Sequence, residues 1–337
     1  MRRLTPAGAI RAGVFLALPL AFAFVFPEHW LLNLGFFTLM YAGLAVAWNL
    51  MGGFSGYISL GHVAFFGIGA YTESILFNHL SIGTNGLRPF LALPAIGIGV
   101  GLASVPIARV ALRTRALTFA VVTLTLLFVV QTLAFNLHGI TNGSQGIAMP
   151  PPDFSLYERP FYLAVLAILA FALLLAWHVR RDKLGLALLA VRDDEDRARG
   201  LGVRTTQAKV FTFAVSVGIT AMIGGVWAYY LGYIYPQFAV DPLVMIGTIL
   251  PVFLGGYGTI WGPVLGALIL VPAQQYLAYR YGASELYLIG YAAVFLVIIL
   301  VLPRGILPSI QDAVAYLRER ARRRAAFDAG APKRVEP

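Results

Sequence analysis

Apolar runs of membrane-spanning length follow one another along almost the whole chain. Hydrophobic residues make up 59% of the 337 residues and charged residues only 12%, whereas a soluble domain carries about 25% charged residues. This shortage of polar surface indicates a membrane protein, and an α-helix crosses the hydrocarbon core in roughly 20 residues. We therefore predict an all-α polytopic membrane protein with about ten transmembrane helices, at residues 10–26, 31–51, 63–80, 89–108, 116–136, 160–178, 210–231, 242–256, 259–278 and 284–302.

The basic residues predict how these helices are oriented. If the N-terminus is cytoplasmic and the helices alternate in direction, 22 of the 25 Lys and Arg residues fall on the cytoplasmic side, as the positive-inside rule requires. Both termini are then cytoplasmic. Eight crossings with two re-entrant segments satisfy the rule equally well, because only residues 256–258 separate the eighth and ninth runs. We predict a transmembrane domain at 1–308 with a cytoplasmic loop at 179–209, and a basic cytoplasmic tail at 309–337.

Composition also limits the class of function. The formal charge of +10 would favour nucleic-acid binding only if the basic residues clustered on a soluble face. They lie instead in short loops and at the termini, so we predict no nucleic-acid partner, and we expect the tail to bind anionic lipid headgroups. The chain has no cysteine, which excludes disulfides and thiolate chemistry. No metal site is predicted, because His62, His79 and His138 are isolated in the sequence.

A segment rich in glycine and hydroxyl side chains begins at Asn49 and ends at His62. Glycine costs about 1 kcal/mol per helical position relative to alanine. Interrupted helices at membrane depth are tolerated where they line a polar cavity, and in transporters they commonly form the substrate site. If the segment is helical, three of its polar side chains share one face at i, i+4 and i+7. We predict that the following residues line a substrate pathway: Asn49, Ser55, Ser59 and His62.

Glycines four residues apart predict close helix packing. Gly52 and Gly56 form one small-xxx-small pair, which is the alternative explanation of the glycine-rich segment. Gly258, Gly262 and Gly266 recur at the same interval and would present a smooth helix face. We expect all five glycines to allow two helix backbones to approach each other.

Glu73 lies inside an otherwise apolar predicted helix. A carboxylate at the bilayer centre costs about 2.5–3.5 kcal/mol on insertion scales, so such a residue usually has a function or a partner. Three explanations are open: Glu73 senses a substrate ammonium in the pathway, pairs with an inward-facing basic group, or lies near enough to the outer surface to stay hydrated.

Residues 180–209 form a charged island between two apolar runs. Within it, residues 192–202 read as a short helix whose acidic residues come early and whose arginines come late, which matches the helix macrodipole. Two i, i+4 pairs are predicted, Asp193 with Arg197 and Glu195 with Arg199. Gly200 or Gly202 would end the helix. Because a plain tether has no need of a capped helix, we predict a protein-docking surface.

Several spaced motifs between about residues 40 and 307 resemble permease subunits of branched-chain amino acid ABC importers. The motifs are Leu189-Ala190-Val191-Arg192-Asp193-Asp194-Glu195 with Gly200-Leu201-Gly202-Val203, the Asn49–His62 segment with Gly67-Ile68-Gly69-Ala70-Tyr71-Thr72, Leu254-Gly255-Gly256 through Gly266-Ala267, and Pro303-Arg304-Gly305. By this resemblance, residues 1–308 would be a permease domain. The cytoplasmic loop would be the element that couples the permease to an ATPase, through Arg192, Asp193, Asp194, Glu195, Gly200 and Gly202.

The resemblance also implies partners and a location. It implies a second, different permease subunit, cytoplasmic ATP-binding subunits and a periplasmic or extracellular solute-binding protein, assembled in the bacterial inner membrane. The chain has no Gly-x-x-x-x-Gly-Lys-Ser/Thr phosphate loop, so we expect no cofactor in this subunit and ATP only in its partners.

Three departures from the family pattern leave the solute open: Glu73, Asp241-Pro242 and Pro251. The resemblance is compatible with branched-chain amino acids, urea or short amides. The main alternative is an ion-coupled secondary transporter, for which Glu73 would be the intramembrane ion ligand. An integral membrane enzyme is weakly supported, because no cluster of catalytic side chains converges.

Overall fold

The computed structural model describes residues 28–80, 87–149, 158–281 and 305–330, together with 17, 19–25, 292, 293 and 296. Its helices are α1 (His29–Ser55), α2 (His62–Leu80), α3 (Arg88–Ala111), α4 (Ala116–Asn136), α5 (His138–Thr141), α6 (Glu158–Arg181), α7 (Lys183–Gly200), α8 (Thr205–Leu231), α9 (Pro236–Ala239), α10 (Pro242–Gly255), α11 (Gly262–Tyr281) and α12 (Ile306–Gly330). Two short strands, β1 (Ile147–Ala148) and β2 (Tyr233–Ile234), pair antiparallel and join the loops that follow α5 and α8.

The helices confirm an all-α polytopic membrane protein. Six stretches of the described chain are long and apolar enough to cross a bilayer: α1, α3, α4, α6, α8 and the α9–α10 stretch from Pro236 to Gly255. α2 and α11 occupy two further predicted spans, 63–80 and 259–278. The predicted spans 10–26 and 284–302 lie largely outside the described residues. The total of ten, the boundary between the two domains and the cytoplasmic placement of both termini therefore stay predictions.

α8 is the central helix of the molecule. It contacts α1, α2, α3, α6 and α7, and most of its residues are buried. α4 is the opposite case, with Leu117 86% and Val121 63% exposed. Apolar side chains at membrane depth face lipid without cost, so large exposed aliphatic residues on a peripheral helix are expected here. The core is thus built around α8, with α4 at its edge.

Small residues let α2 and α8 pack backbone against backbone. A Cβ built on Gly69 would lie 2.1 Å from the carbonyl oxygen of Ala221, and one built on Gly224 would lie 2.1 Å from that of Phe66. Without a hydrophobic drive between helices in lipid, membrane helices rely on such close van der Waals contact. Any side chain at these two positions would force the helices apart.

The chain is not helical between α1 and α2, and this first break shows that the predicted shared face of three polar residues is wrong. α1 ends at Ser55, and Gly56 takes a left-handed φ of 78° as its C-cap. Residues 56–61 are not helical, and α2 begins at His62. Ser55, Ser59 and His62 therefore do not share a face of one helix, because a left-handed glycine reverses the chain between them.

A second break, between α10 and α11, shows that the predicted helix face of three glycines is wrong in part. α10 ends at Gly255 and α11 begins at Gly262, with Gly258 at φ 75° in the turn between them. Gly258 therefore belongs to the break and not to a helix face. Gly266 does sit at a close helix contact, since a Cβ there would lie 1.9 Å from the carbonyl oxygen of Pro251. The predicted separation of three residues between these helices is in fact six, 256–261.

The α2–α8 contact yields a stability prediction. Gly69→Ala should lower the free energy of unfolding by about 2 kcal/mol, because overpacking a tight contact typically costs 1–3 kcal/mol. Gly99→Ala is the matched control: it is also a helix-interior glycine, but a Cβ there would have no neighbour within 4 Å. Thermal unfolding of the purified chain in detergent should show a lowered midpoint for Gly69→Ala alone. Equal midpoints for the two variants would contradict the packing argument.

Candidate functional site

The two helix breaks lie side by side and are hydrogen-bonded to each other. The Asn49 amide nitrogen donates to the carbonyl oxygen of Thr259 at 2.7 Å, and its Oδ1 accepts from the backbone N–H of Gly258 at 2.9 Å. The Tyr257 hydroxyl donates to the carbonyl oxygen of Gly52 at 2.5 Å. Asn49, predicted to line a substrate pathway, is 2% exposed, and both ends of its amide bind the second break in this conformation.

Two arginines, one from the C-terminal end of α6 and one from α7, reach the same breaks. Arg192 Nη1 donates to the carbonyl oxygen of Gly53 at 2.8 Å, and its guanidinium lies 4.8 Å above the Tyr257 ring. Arg180 Nη1 donates to the carbonyl oxygen of Gly258 at 2.5 Å. Gly53 lies in the last turn of α1, where carbonyl groups have no partner within the helix and cations are favoured by the macrodipole. Arg192 thus caps the end of α1, and Arg180 binds the second break, both from the charged island.

The loop helix α7 is kinked at Asp194, which takes extended backbone angles of φ −161° and ψ 106°. Beyond the kink, residues 195–200 form a short second segment, called here the distal segment. Asp194 Oδ1 accepts from the backbone N–H of Arg197 at 3.0 Å, and Oδ2 pairs with Arg197 Nε at 3.0 Å. The predicted pair of Asp193 with Arg197 is therefore wrong, because the kink makes Asp194 the N-cap and gives it the arginine.

The distal segment ends as the sequence predicts. Arg199 Nη2 lies 2.9 Å from Glu195 Oε1, which confirms the second predicted pair. Gly202 takes φ 84°, its N–H donates to the carbonyl oxygen of Arg199, and Val203 N–H donates to that of Ala198. This bond pattern is a Schellman motif. Gly202 is thus the stop residue, and Gly200 is the last residue of the helix.

Glu195 joins the distal segment to the membrane core through a buried lysine. Lys209 is 1% exposed, and its Nζ donates to Glu195 Oε1 at 2.7 Å, to the Tyr57 hydroxyl at 3.0 Å and to the carbonyl oxygen of Leu112 at 3.1 Å. The Tyr57 hydroxyl donates in turn to Glu195 Oε2. These contacts connect α7, α8, the first break and the turn after α3, and we call Tyr57, Glu195 and Lys209 the lysine cluster.

The electrostatics of the lysine cluster keep Glu195 charged. Burial alone would raise the pKa of Glu195, but hydrogen bonds from Lys209 and Tyr57, with the charges of Lys209 and Arg199, hold it below its ordinary value. Burial and the hydrogen bond to Glu195 raise the pKa of Tyr57, so its hydroxyl stays a donor. Tyr57 was not predicted as a site residue, and Lys209 was predicted to be a charge of the loop. The available signal was that Lys209 is the only charged residue of α8.

The other predicted pathway residues are separate and buried. The relative exposures of Ser55, Ser59, His62 and Glu73 are 1%, 0%, 1% and 0%. Ser55 Oγ donates to the carbonyl oxygen of Met51 at 2.6 Å, and His62 Nε2 lies 2.7 Å from Ser216 Oγ in α8. These contacts tie the two residues to the helices around them.

Glu73 packs against α8 at Gly225. A Cβ built on Gly225 would lie 3.5 Å from the Cβ of Glu73. Among the described residues, its carboxyl oxygens have no hydrogen-bond or ion-pair partner. The complete burial of Glu73 contradicts the explanation that it lies at a hydrated surface. No basic group pairs with it among the described residues, and pairing with a basic group elsewhere stays a prediction. Its role toward a substrate stays a prediction.

Comparison with known proteins gives the family. A family model described as "Branched-chain amino acid transport system / permease component" matches residues 30–302. The high-affinity branched-chain amino acid transport system permease protein LivM of Salmonella typhimurium is 29% identical over 302 residues, which cover 80% of this chain and 68% of that protein. The high-affinity branched-chain amino acid transport system permease protein LivH of the same organism is 26% identical over 288 residues, which cover 79% of this chain and 91% of that protein.

A permease protein of another transport system matches a shorter part of the chain. The autoinducer 2 import system permease protein LsrC of Salmonella paratyphi B is 32% identical over 146 residues, 40% of this chain and 41% of that protein. No solved structure matches. With its apolar helices and a family match over most of its length, the chain is a multi-pass protein of the bacterial inner membrane and belongs to the family of branched-chain amino acid transport system permease components.

Proposed function

We propose that this chain forms half of the membrane channel of an ATP-driven importer that moves branched-chain amino acids into the cell. LivM and LivH are named as permease proteins for these solutes, whereas LsrC is named for autoinducer 2 import. The longer matches favour branched-chain amino acids over other small polar solutes, including urea and short amides.

The proposed assembly has three further kinds of component. A second, different permease completes the channel, two ATP-binding subunits dock on the cytoplasmic side, and a solute-binding protein delivers the amino acid from outside. The existence of two similar but distinct permease proteins, LivM and LivH, supports a heterodimer. Since the chain lacks a phosphate loop, ATP binding and hydrolysis belong to the partner subunits.

The observation that carries the proposal is the set of contacts made by α7. Its outer surface is available to a partner, with Asp193, Asp196 and Arg197 exposed and Leu201, just after the distal segment, 86% exposed. Its inner surface holds the first break through Arg192 and holds α8 through Glu195. A force applied to α7 by a docked subunit therefore acts directly on membrane helices.

The breaks are suited to receive that force. Between α1 and α2, and between α10 and α11, no i→i−4 ladder resists a change of angle. Left-handed glycines such as Gly56 and Gly258 already supply conformations that other residues rarely adopt. Movement of α7 on nucleotide binding would shift Arg192 and Glu195 together, and the adjoining helix ends would follow.

Reconstitution tests the proposed function as a whole. The chain, its partner permease, the ATP-binding subunits and the solute-binding protein are placed in liposomes, and uptake of labelled leucine is measured. We expect uptake only when ATP is present on the side of the membrane where the ATP-binding subunits are bound. Isoleucine and valine should compete with leucine for uptake. Uptake by the chain alone along an ion gradient would instead indicate a secondary transporter, and transport of urea without leucine would overturn the proposed solute.

Leu201→Arg tests the docking surface. A charge at an exposed apolar contact should weaken binding of the ATP-binding subunits by about tenfold or more, because a buried interface anchor contributes about 2 kcal/mol. Leu317→Arg in α12, where the side chain is 60% exposed, is the matched control and should bind normally. The measurement is the amount of ATP-binding subunit that co-purifies per permease. Equal recovery with both variants would exclude Leu201 from the interface.

A double variant separates stability from coupling in the lysine cluster. Glu195→Leu leaves Lys209 buried without its counter-ion and should cost about 3 kcal/mol of stability, and adding Lys209→Met should recover most of that loss. The recovered double variant should still transport fewer solutes per ATP hydrolysed, because the link from α7 to α8 is gone.

Arg199→Gln is the matched control for this pair of variants. The Arg199 side chain is 61% exposed, so losing its pair with Glu195 should change stability by less than about 1 kcal/mol and leave the transport ratio unchanged. Thermal unfolding and the uptake-to-hydrolysis ratio are measured on the same preparations. A stable double variant with the normal ratio would show that the cluster supports the fold without transmitting movement.

A further inference from the structure

A long groove of about 910 Å³ runs between α3, α6 and α8. Its walls are almost entirely apolar, and glycines and alanines such as Gly97, Gly101 and Ala214 form its floor. Its mouth is rimmed by bulky side chains that are largely exposed, including Leu102, Phe171 and Phe211. The groove therefore opens sideways from the helix bundle, toward the surroundings of the membrane domain.

One end of the groove is polar. Arg109, in the last turn of α3, and Thr206 and Gln207, in the first turn of α8, line this end. Because α7 and the turn after α3 carry the cytoplasmic charges predicted by the positive-inside rule, this end lies at the cytoplasmic side of the bilayer. The other end is lined by Phe90 and Met222.

The dimensions fit a lipid chain. From Thr206 to Met222 the groove follows α8 for about 24 Å at 1.5 Å per residue. The hydrocarbon core of a bilayer is about 30 Å thick, about 15 Å for each leaflet, so the groove is long enough for an acyl chain that enters from one leaflet. At this depth an apolar groove excludes water, and either hydrocarbon or another protein must fill it.

The shape of the mouth favours hydrocarbon over a helix of another subunit. Membrane helix interfaces are enriched in small residues that let two backbones come close. Here Leu102, Phe171 and Phe211 stand at the rim, where they would hold a neighbouring helix away from the floor. A single acyl chain is thin enough to pass between them.

We propose that this groove binds an anionic phospholipid of the cytoplasmic leaflet, with an acyl chain between α3 and α6 against α8 and the phosphate at Arg109. Basic pockets between transmembrane helices on the cytoplasmic side are a recognised way to bind such headgroups. Thr206 and Gln207 add hydrogen-bond donors at the same end. The bound lipid would pack against Val210 and Phe211, the two residues after Lys209 on α8. This proposal is independent of the transported solute.

Binding of phosphatidylglycerol tests the headgroup site. The purified full chain is studied by native mass spectrometry with phosphatidylglycerol or phosphatidylcholine, and we expect preferential retention of phosphatidylglycerol. Arg109→Gln should reduce that preference about fivefold, since one basic residue near an anionic surface contributes about 1 kcal/mol. Arg113→Gln, an exposed arginine outside the groove, is the control and should keep it. Equal retention of the two lipids by the unchanged chain would overturn the proposal.

Filling the groove tests the acyl-chain site. Ala167→Trp places a large ring inside the groove, whereas Ala103→Trp places it on an exposed face of α3 that does not line it. Phosphatidylglycerol with a photoreactive acyl chain should label the unchanged chain and Ala103→Trp at α8, and should label Ala167→Trp at least several-fold less.

A second measurement guards against the alternative occupant. In membranes that contain the complete transporter, a photoreactive amino acid at Ala167 should attach to lipid. Attachment to the second permease subunit instead would show that protein fills the groove and would overturn the lipid assignment. Equal lipid labelling of the unchanged chain, Ala103→Trp and Ala167→Trp would also overturn the lipid assignment.

Discussion

Backbone groups that are buried away from water must find their hydrogen-bond partners inside the protein. α1 and α10 end at glycine-rich breaks, and backbone groups in and beside these breaks are bound by Asn49, Tyr257, Arg180 and Arg192. These four side chains therefore hold the two breaks together. The position of α7 against the bundle follows, because Arg180 and Arg192 come from the charged island.

This requirement gives the charged loop a second role beyond solubility. An arginine that caps a broken helix cannot move without moving that helix end or leaving a carbonyl group unpaired, which costs about 1–3 kcal/mol for a buried group. Glu195 adds the same constraint on α8, since its movement would strip a buried lysine of its counter-ion. If a partner subunit docks on α7 as proposed, these contacts with both breaks and with α8 would be the physical basis for passing movement from that subunit to the membrane helices.

The fold could be predicted from sequence to the extent that it depends on local pattern. Apolar runs of about 20 residues located the long apolar helices, and the glycine content indicated an interruption between Asn49 and His62. At the second break the prediction was wrong, because Gly258 was expected on a helix face and lies in the turn. Contacts between distant segments could not be predicted. Asn49 meets Thr259 across 210 residues, and no spacing in the sequence marks the two as partners. The backbone kink at Asp194 was missed because the charge order of residues 192–202 fits one continuous helix. Asp193 and Asp194 are equally suitable N-cap residues, and the sequence does not mark which of them begins the distal segment.

The first two turns of α8 contact both the lysine cluster and the apolar groove. Lys209 points into the lysine cluster, where it meets the charge of Glu195, while Thr206, Gln207 and Val210 line the apolar groove. Successive residues of a helix are 100° apart, so one short stretch can contact both at once. Whatever fills the groove therefore packs against the same turns that α7 holds through Glu195. A ligand that binds better to one position of these turns than to another would shift the balance between them, and only by the difference in its binding free energy.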